Sequence, residues 1–361
     1  MQAEQSVSIV EIARDEPITL QQILRTIPRE CYQRNYRKAF AWLVWDWLLI
    51  GLCVTAILWA QSWWIAVPIS CVLGTVLSGL FILGHDAGHR SFCRSRRWNN
   101  FIGHITTSWV LWPFHIWRLS HNTHHRHTHH VHKEVAWKPA PGFIYKRLAW
   151  LDRMIYRYAR TWLFYLGSII FTATVVRDYV RGKGLSSQEH CEVLFSVLIT
   201  ALAGAVYASV SYLIAGWYGL LMLFVIPQFV FHFWLSLFTL LHHTTPDVTF
   251  MAPDVWTREK ASLECSIHVI YPWWVDLLNH DISWHVPHHV CAAIPHYNLR
   301  LAYRHLKETY PDRIVERKLT FRYLVSVLRQ CNLIEDFKPG MQEWKRFNEN
   351  ESSQPREVVR Q

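Results

Sequence analysis

WWIAVPISCVLGTVLSGLFILGHDAGH, residues 63–89, decides the fold. From Trp63 to Gly84 no charged side chain occurs. At 1.5 Å per residue, a helix of this length crosses the roughly 30 Å hydrocarbon layer of a bilayer. The stretch then ends in His85 and His89, which fall one helical turn apart on one face. It reads as a membrane-spanning helix that carries two imidazoles out to the surface.

The same pattern extends on both sides. Phe40 to Ala60 is a second apolar run, separated from the first by little more than Gln61-Ser62, and Val193 to Gly216 and Tyr218 to Leu241 repeat the layout around Gly216-Trp217. The chain of 361 residues is 51% hydrophobic and 15% aromatic with 20 tryptophans, which is rich for a soluble protein. We expect an all-α integral membrane fold with four transmembrane helices in two hairpins, at about 40–60, 63–84, 193–216 and 218–241. A polar arm (1–38) precedes the membrane domain (39–345), and a polar tail (346–361) follows it. Phe101 to Trp117, interrupted by His104, Pro113 and His115, reads as interfacial or re-entrant. Trp162 to Val176, flanked by Arg160 and Arg177, is placed on the membrane surface.

The hairpin connections carry no Lys or Arg. Arg25, Arg29, Arg34, Arg37 and Lys38 precede the first hairpin, and Arg90, Arg94, Arg96, Arg97, Arg118 and Arg126 follow it. The positive-inside rule therefore puts the termini and the central segment in the cytoplasm. An even number of crossings returns the chain to that face, so distant segments can meet in one cytoplasmic helical cap. The net charge of +10 and a pI near 9.3 fit loops that face anionic lipid, and nucleic acid is not expected as a partner. Eight cysteines without a CxxC pair read as reduced packing residues. The N-terminus lacks the apolar core of a cleavable signal.

Twenty-two histidines gather in clusters. His85 and His89 form HxxxH; His121, His124 and His125 form HxxHH; His285, His288 and His289 form HxxHH again. A core histidine usually occurs alone with one hydrogen-bond partner, whereas neutral imidazole is the commonest protein metal ligand. Pro287 suits a first helical position, which places His285 just before a helix and His288 and His289 in its first turn. Gly84 and Gly88 are expected to let a neighbouring backbone come close.

Gln228, His232, Ser236, Thr239 and His243 form one polar stripe down an apolar helix, and such stripes face a bundle interior. His243 is therefore the first candidate for a ninth ligand, and His280, five residues before His285, is the second; supporting roles remain open for both. His127, His129, His130 and His132 read as solvated or supporting, and His232 with Gln228 as an interior pair. Asp46, near the start of the first span, is expected to reach the interface, and Asp86 and Asp281 to orient histidines. Structural zinc takes four ligands and favours cysteine, and HExxH is absent. Two metals sharing the imidazoles fit the count, while spacing leaves iron, copper and zinc open. A metal transporter would instead need ligands through the membrane depth.

The three boxes in this order around two hairpins resemble the integral-membrane fatty acid desaturases. The resemblance extends to Gly84-His85-Asp86-Ala87-Gly88-His89-Arg90-Ser91-Phe92, to Trp117-Arg118-Leu119-Ser120, to His242-His243-Thr244-Thr245-Pro246 and to Ala293 through Leu301. It covers roughly Phe40 to Pro339 and is nearest to the cyanobacterial or bacterial acyl-lipid delta-12 branch. Ala87, where many relatives have Cys, departs from the pattern.

The resemblance implies two iron ions, O2 as co-substrate, and electrons from a ferredoxin-type or, alternatively, a cytochrome-type donor. It implies a glycerolipid oleoyl chain as substrate and the eight box histidines as ligands, completed by His243 or His280. Aromatic residues of the spans and of Phe101 to Trp117 are expected either to line an acyl tunnel or, for most of them, to serve as packing and interfacial anchors. An omega-3 or other regioselectivity, or a lipid or carotenoid hydroxylase or ketolase, is the alternative activity.

Overall fold

The computed structural model describes residues 18–60, 62–334 and 339–347, so most of the expected tail and the first part of the arm lie outside the described residues. Helix α1 (Leu20–Thr26) is capped by Thr19 and Gln22 in a reciprocal box. It is followed by α2 (Tyr36–Ala60), α3 (Trp63–Gly88), α4 (Arg96–Thr107) and α5 (Phe114–His127). Short helices α6 (Gly142–Arg147) and α7 (Trp150–Ala159) lead to α8 (Gly167–Val180). Then come the long α9 (Ser187–Gly219), a π-helical turn at Leu220–Val225, and α10 (Ile226–His243). The C-terminal region holds α11 (Arg258–Glu264), α12 (Trp273–Leu278), α13 (His285–Val290), α14 (Leu299–Thr309) and α15 (Phe321–Gln330).

Among the described residues, three helical stretches are long and apolar enough to cross a membrane: Tyr36–Ala60, Trp63–Gly88 and Ser187–His243. The last runs for 57 residues but is broken at Ala215 and Gly216, where Gly216 takes a φ of 59°. A straight helix would hold Tyr207 and Leu223 about 24 Å apart, yet the Tyr207 hydroxyl donates to the Leu223 carbonyl. The chain therefore doubles back at the break. Pro227 explains the π turn, because it has no N–H to offer the Leu223 carbonyl one helical turn earlier.

The tips of the two doubled-back pairs meet. Tyr218 donates to the Ile57 carbonyl at 3.1 Å, and its ring lies 5.4 Å from Trp63. Midway, Trp234 Nε1 donates to Thr75 Oγ1 at 2.8 Å, so α3 and α10 form the centre of the bundle. Their far ends, Gly88 and His243, lie together at the opposite pole.

Between the bundle helices, α4 packs along α3 and the chain reverses at Leu111, with φ 57°. The Trp109 carbonyl accepts from Gln228 Nε2, and its ring meets those of Trp47 and Tyr207. This segment enters the bundle and comes back. Trp150–Ala159 and Phe164–Val180 form a pair bent by 108°, whereas the sequence placed Trp162 to Val176 on the membrane surface.

At the histidine pole, α1 packs with α13 and α14 around Ile23, Ile27, Val286, Tyr303 and Leu306. The fold is not wholly helical. Among the described residues, three two-stranded pairs join the C-terminal region: β1 (Phe250–Met251) with β5 (Met341–Gln342), β2 (His268–Ile270) with β3 (Glu316–Lys318), and β4 (Leu333–Ile334) with β6 (Trp344–Lys345). Strands of two or three residues are too short to leave a period-2 signal.

Candidate metal centre

Each helix at this pole ends where an imidazole is needed. His85 occupies the last turn of α3, and His89 caps it, its N–H reaching the His85 carbonyl at 3.1 Å. Helix α5 starts after Pro113 and presents His121, His124 and His125 from its last two turns. His243 is the final residue of α10. Helix α13 begins at His285 itself, two residues before the position expected from Pro287, which stands third in the helix. The first N–H groups of a helix have no internal partner, so a proline there removes no hydrogen bond.

The rings converge in two groups. In the first, one nitrogen from each of His85, His89, His121, His125 and His288 lies within 4.8 Å of the others; in the second, the same holds for His124, His243 and His289. His285 belongs with the second group, its Nε2 lying 2.8 Å from that of His243 and 3.0 Å from that of His289. In the first group, Nε2 of His121 is 3.2 Å from that of His85 and 3.0 Å from that of His125. The groups adjoin, since the His125 ring stacks on that of His289 at 4.3 Å.

The donor set fits a pair of metal ions. Ligands about 2.1 Å from one ion stand roughly 3.0–3.4 Å apart in octahedral or tetrahedral arrangements, and the four Nε2 separations above, 2.8–3.2 Å, lie close to that range. His89 Nε2 and His288 Nε2 are buried and have no hydrogen-bond partner. Burial and the neighbouring imidazoles push the basicity of His125, His288 and His289 well down, and that of His285 to about 3. These rings are therefore neutral at pH 7, the form that ligates a metal.

Partners behind the rings set their tautomers. Thr128 Oγ1 donates to the His124 carbonyl at 2.8 Å and accepts from His289 Nδ1 at 3.2 Å, leaving Nε2 of His289 free to ligate. Glu134 accepts from His124 Nδ1 at 2.9 Å and from the backbone N–H groups of His129, Val135 and Ala136. Burial alone would raise the Glu134 pKa, but the adjoining His124 ring and these hydrogen bonds hold it below the usual glutamate value. His129 supports the wall, with Nδ1 donating to the Thr249 carbonyl at 2.9 Å and its ring stacked on Phe250. Neither Thr128 nor Glu134 stood out in the sequence. Glu134, the first carboxylate after the second box, was the available signal.

Other expected roles fall elsewhere. His280 lies outside both groups; its Nε2 donates to Asp46 Oδ2 at 2.8 Å, and its ring packs against Trp42 and His296. Asp46 is thus buried instead of reaching the interface. Asp86 lies 3.5 Å from His85 Nδ1 and accepts from the His296 N–H at 2.9 Å. Asp281 orients no histidine and binds Arg300. Gln228 and His232 do not pair with each other: Gln228 Nε2 donates to the Trp109 carbonyl at 2.6 Å while its Oε1 is buried without a partner, and His232 Nδ1 donates to Ser168 Oγ at 2.9 Å. What approaches Gly84 and Gly88 is side chain, not backbone: Thr106 and Thr107 face Gly84, and the Trp117 indole covers Gly88.

A family model for fatty acid desaturases matches residues 61–320. The chain belongs to the fatty acid desaturase family. Among similar proteins, the sn-1 oleoyl-lipid 12-desaturase of Picosynechococcus sp. is 35% identical over 88% of this chain and 90% of its own length. That of Synechocystis sp. is 34% identical over 89% and 91%. The chloroplastic omega-6 fatty acid desaturase of Spinacia oleracea is 27% identical over 89% of this chain and 70% of its own.

A cavity runs from the histidines of this desaturase into the bundle. His85, His121, His243 and His285 reach its wall at one end, and Phe81, Trp112, Trp117, Trp137, Phe171 and Phe238 supply apolar surface. Trp112 and Trp117 come from the segment expected to line a tunnel. Ser168, Ser236 and Thr239 also line it, so the half of the α10 polar stripe nearest His243 faces the interior cavity, whereas Gln228 and His232 bond to Trp109 and Ser168.

Proposed function

We propose that this desaturase inserts a cis double bond at the delta-12 position of an oleoyl chain held in a membrane glycerolipid. The observation that carries the reading is the apolar cavity that ends on two adjoining groups of imidazoles. The names of the cyanobacterial relatives, which span about nine-tenths of the chain, support the bond position.

The proposed ligands are His85, His89, His121, His125 and His288 for one iron ion, and His124, His243, His285 and His289 for the other. His280 is left out of the set. An iron pair supplies, from O2 and two electrons, the oxidising power that an unactivated methylene requires. The chain's own residues do the rest. The walls around Trp112, Trp117 and Trp137 exclude water and hold one pair of carbons beside His85, His121 and His243. Glu134 and Thr128 fix the ring orientations of His124 and His289.

In the proposed membrane arrangement, domain 39–345 crosses four times, with both termini and the metal centre cytoplasmic. The basic cytoplasmic face suits an acidic ferredoxin-type electron donor.

Fatty acids from a bacterial host fed oleate, expressing the chain with a ferredoxin system and iron, test the reading by gas chromatography and mass spectrometry. A new linoleate peak, absent with His124→Ala, is expected. A hydroxylated product would assign the chain to hydroxylase chemistry instead.

A further inference from the structure

One large groove lies outside the cavity and has a different character. Its walls come from the end of α7, from α15 and from the strand end at Arg346, and its volume of about 1010 Å³ suits a headgroup better than a single small anion. Arg157, Arg322, Arg329 and Arg346 line it, and no carboxylate does so among the described residues. Arg322 and Arg329 are seven residues apart, which puts both on one face of α15. Both are exposed. At the rim, Trp162 is 62% and Phe321 77% exposed.

Helix α7 beside the groove buries none of its residues and leaves Trp150, Leu151, Ile155 and Tyr158 exposed. An uncovered apolar side together with two arginines, Arg153 and Arg157, suits a helix lying in a membrane interface. The neighbouring chain fixes the depth. Ser168 bonds to Ser236 and His232, which lie about 10 and 16 Å along α10 from His243. The groove thus opens beside a segment that dips into the bundle. It also adjoins the cavity, because Arg160, between groove residues Arg157 and Thr161, donates to the Trp137 carbonyl at 2.7 Å and covers its ring at 4.8 Å. Trp137 is a wall of the cavity.

We propose that this groove binds the anionic headgroup, phosphate or sulfonate, of a membrane glycerolipid and so seats an acyl lipid beside the cavity. The proposal deepens the acyl-lipid reading and rests on it. Guanidinium recognises such oxyanions with paired N–H donors, and Trp162 and Phe321 bury their rings among the adjoining chains.

The test titrates the full-length protein in neutral detergent with dipalmitoyl phosphatidylglycerol or dipalmitoyl phosphatidylcholine, reading bound lipid by native mass spectrometry. Saturated lipids make the readout independent of turnover, so a failed headgroup site and a failed delta-12 assignment are distinguishable. The wild type is expected to prefer phosphatidylglycerol. Arg322→Gln with Arg329→Gln is expected to weaken that lipid roughly 30-fold, about fivefold per guanidinium, and to leave phosphatidylcholine unchanged. Trp162→Ala, a second and independent variant, should weaken both lipids. Equal affinity for the two lipids in the wild type overturns the proposal. So does a double variant that keeps the preference but loses affinity for an acidic ferredoxin, which would make the groove a protein docking site.

Discussion

At Glu134 a single carboxylate gathers one imidazole and three backbone N–H groups behind the second box. Glu134→Gln removes the charge that orients His124, and iron affinity is expected to fall 10- to 100-fold, measured by competition with a chelator. His280→Ala is expected to keep the full iron content, whereas His285→Ala loses iron; elemental analysis of the two purified variants decides between them. Cys265 supplies a pH test away from the centre. Burial, and then the Glu264 carboxylate, push its thiol up to about 12, so at pH 8 only about one thiol in ten thousand is the reactive thiolate. Maleimide is expected to spare Cys265 in the folded protein up to about pH 10 and to label exposed Cys191; peptide mass spectrometry reads both. The box histidines were legible because repeated HxxHH spacing leaves few alternatives. His280 was not separable from His243 by spacing, since what divides them is a buried carboxylate, Asp46, 234 residues away in sequence.

Helix contacts decide how those residues are held. Gly88 leaves room for the Trp117 indole, which stacks on the His121 ring at 4.5 Å. Gly88→Ala drives a methyl into that indole, and a loss of about 1–3 kcal/mol is expected from overpacking. A lowered unfolding midpoint together with reduced iron retention would show that the packing and the site are linked; an unchanged midpoint would contradict it. The apolar runs announced the bundle helices because 20-residue uncharged stretches have few other uses. The reversal at Ala215-Gly216 was legible from its glycine. The π turn was not, because it answers Pro227 together with Tyr207, a partner across the hairpin. The bent pair at 150–180 escaped the sequence for a similar reason: Ser168 is drawn inward by hydrogen bonds to α10 that no local pattern encodes.

For the whole molecule, the meeting of Trp63 with Tyr218 at one pole and of nine imidazoles at the other supports the two-hairpin arrangement. A fluorescent protein fused after Gln361 is expected to fluoresce in the cytoplasm, and a periplasmic phosphatase inserted at Gly216-Trp217 to be active. The reverse pattern would invert the arrangement. The central claim is that the two histidine groups are the halves of one dinuclear centre. Iron per chain, measured by inductively coupled plasma mass spectrometry after anaerobic reconstitution, tests it most directly. The wild type should hold two ions, and the variant lacking both His124 and His289 should hold no more than one. One ion in the wild type, or two retained by that double variant, would contradict the account.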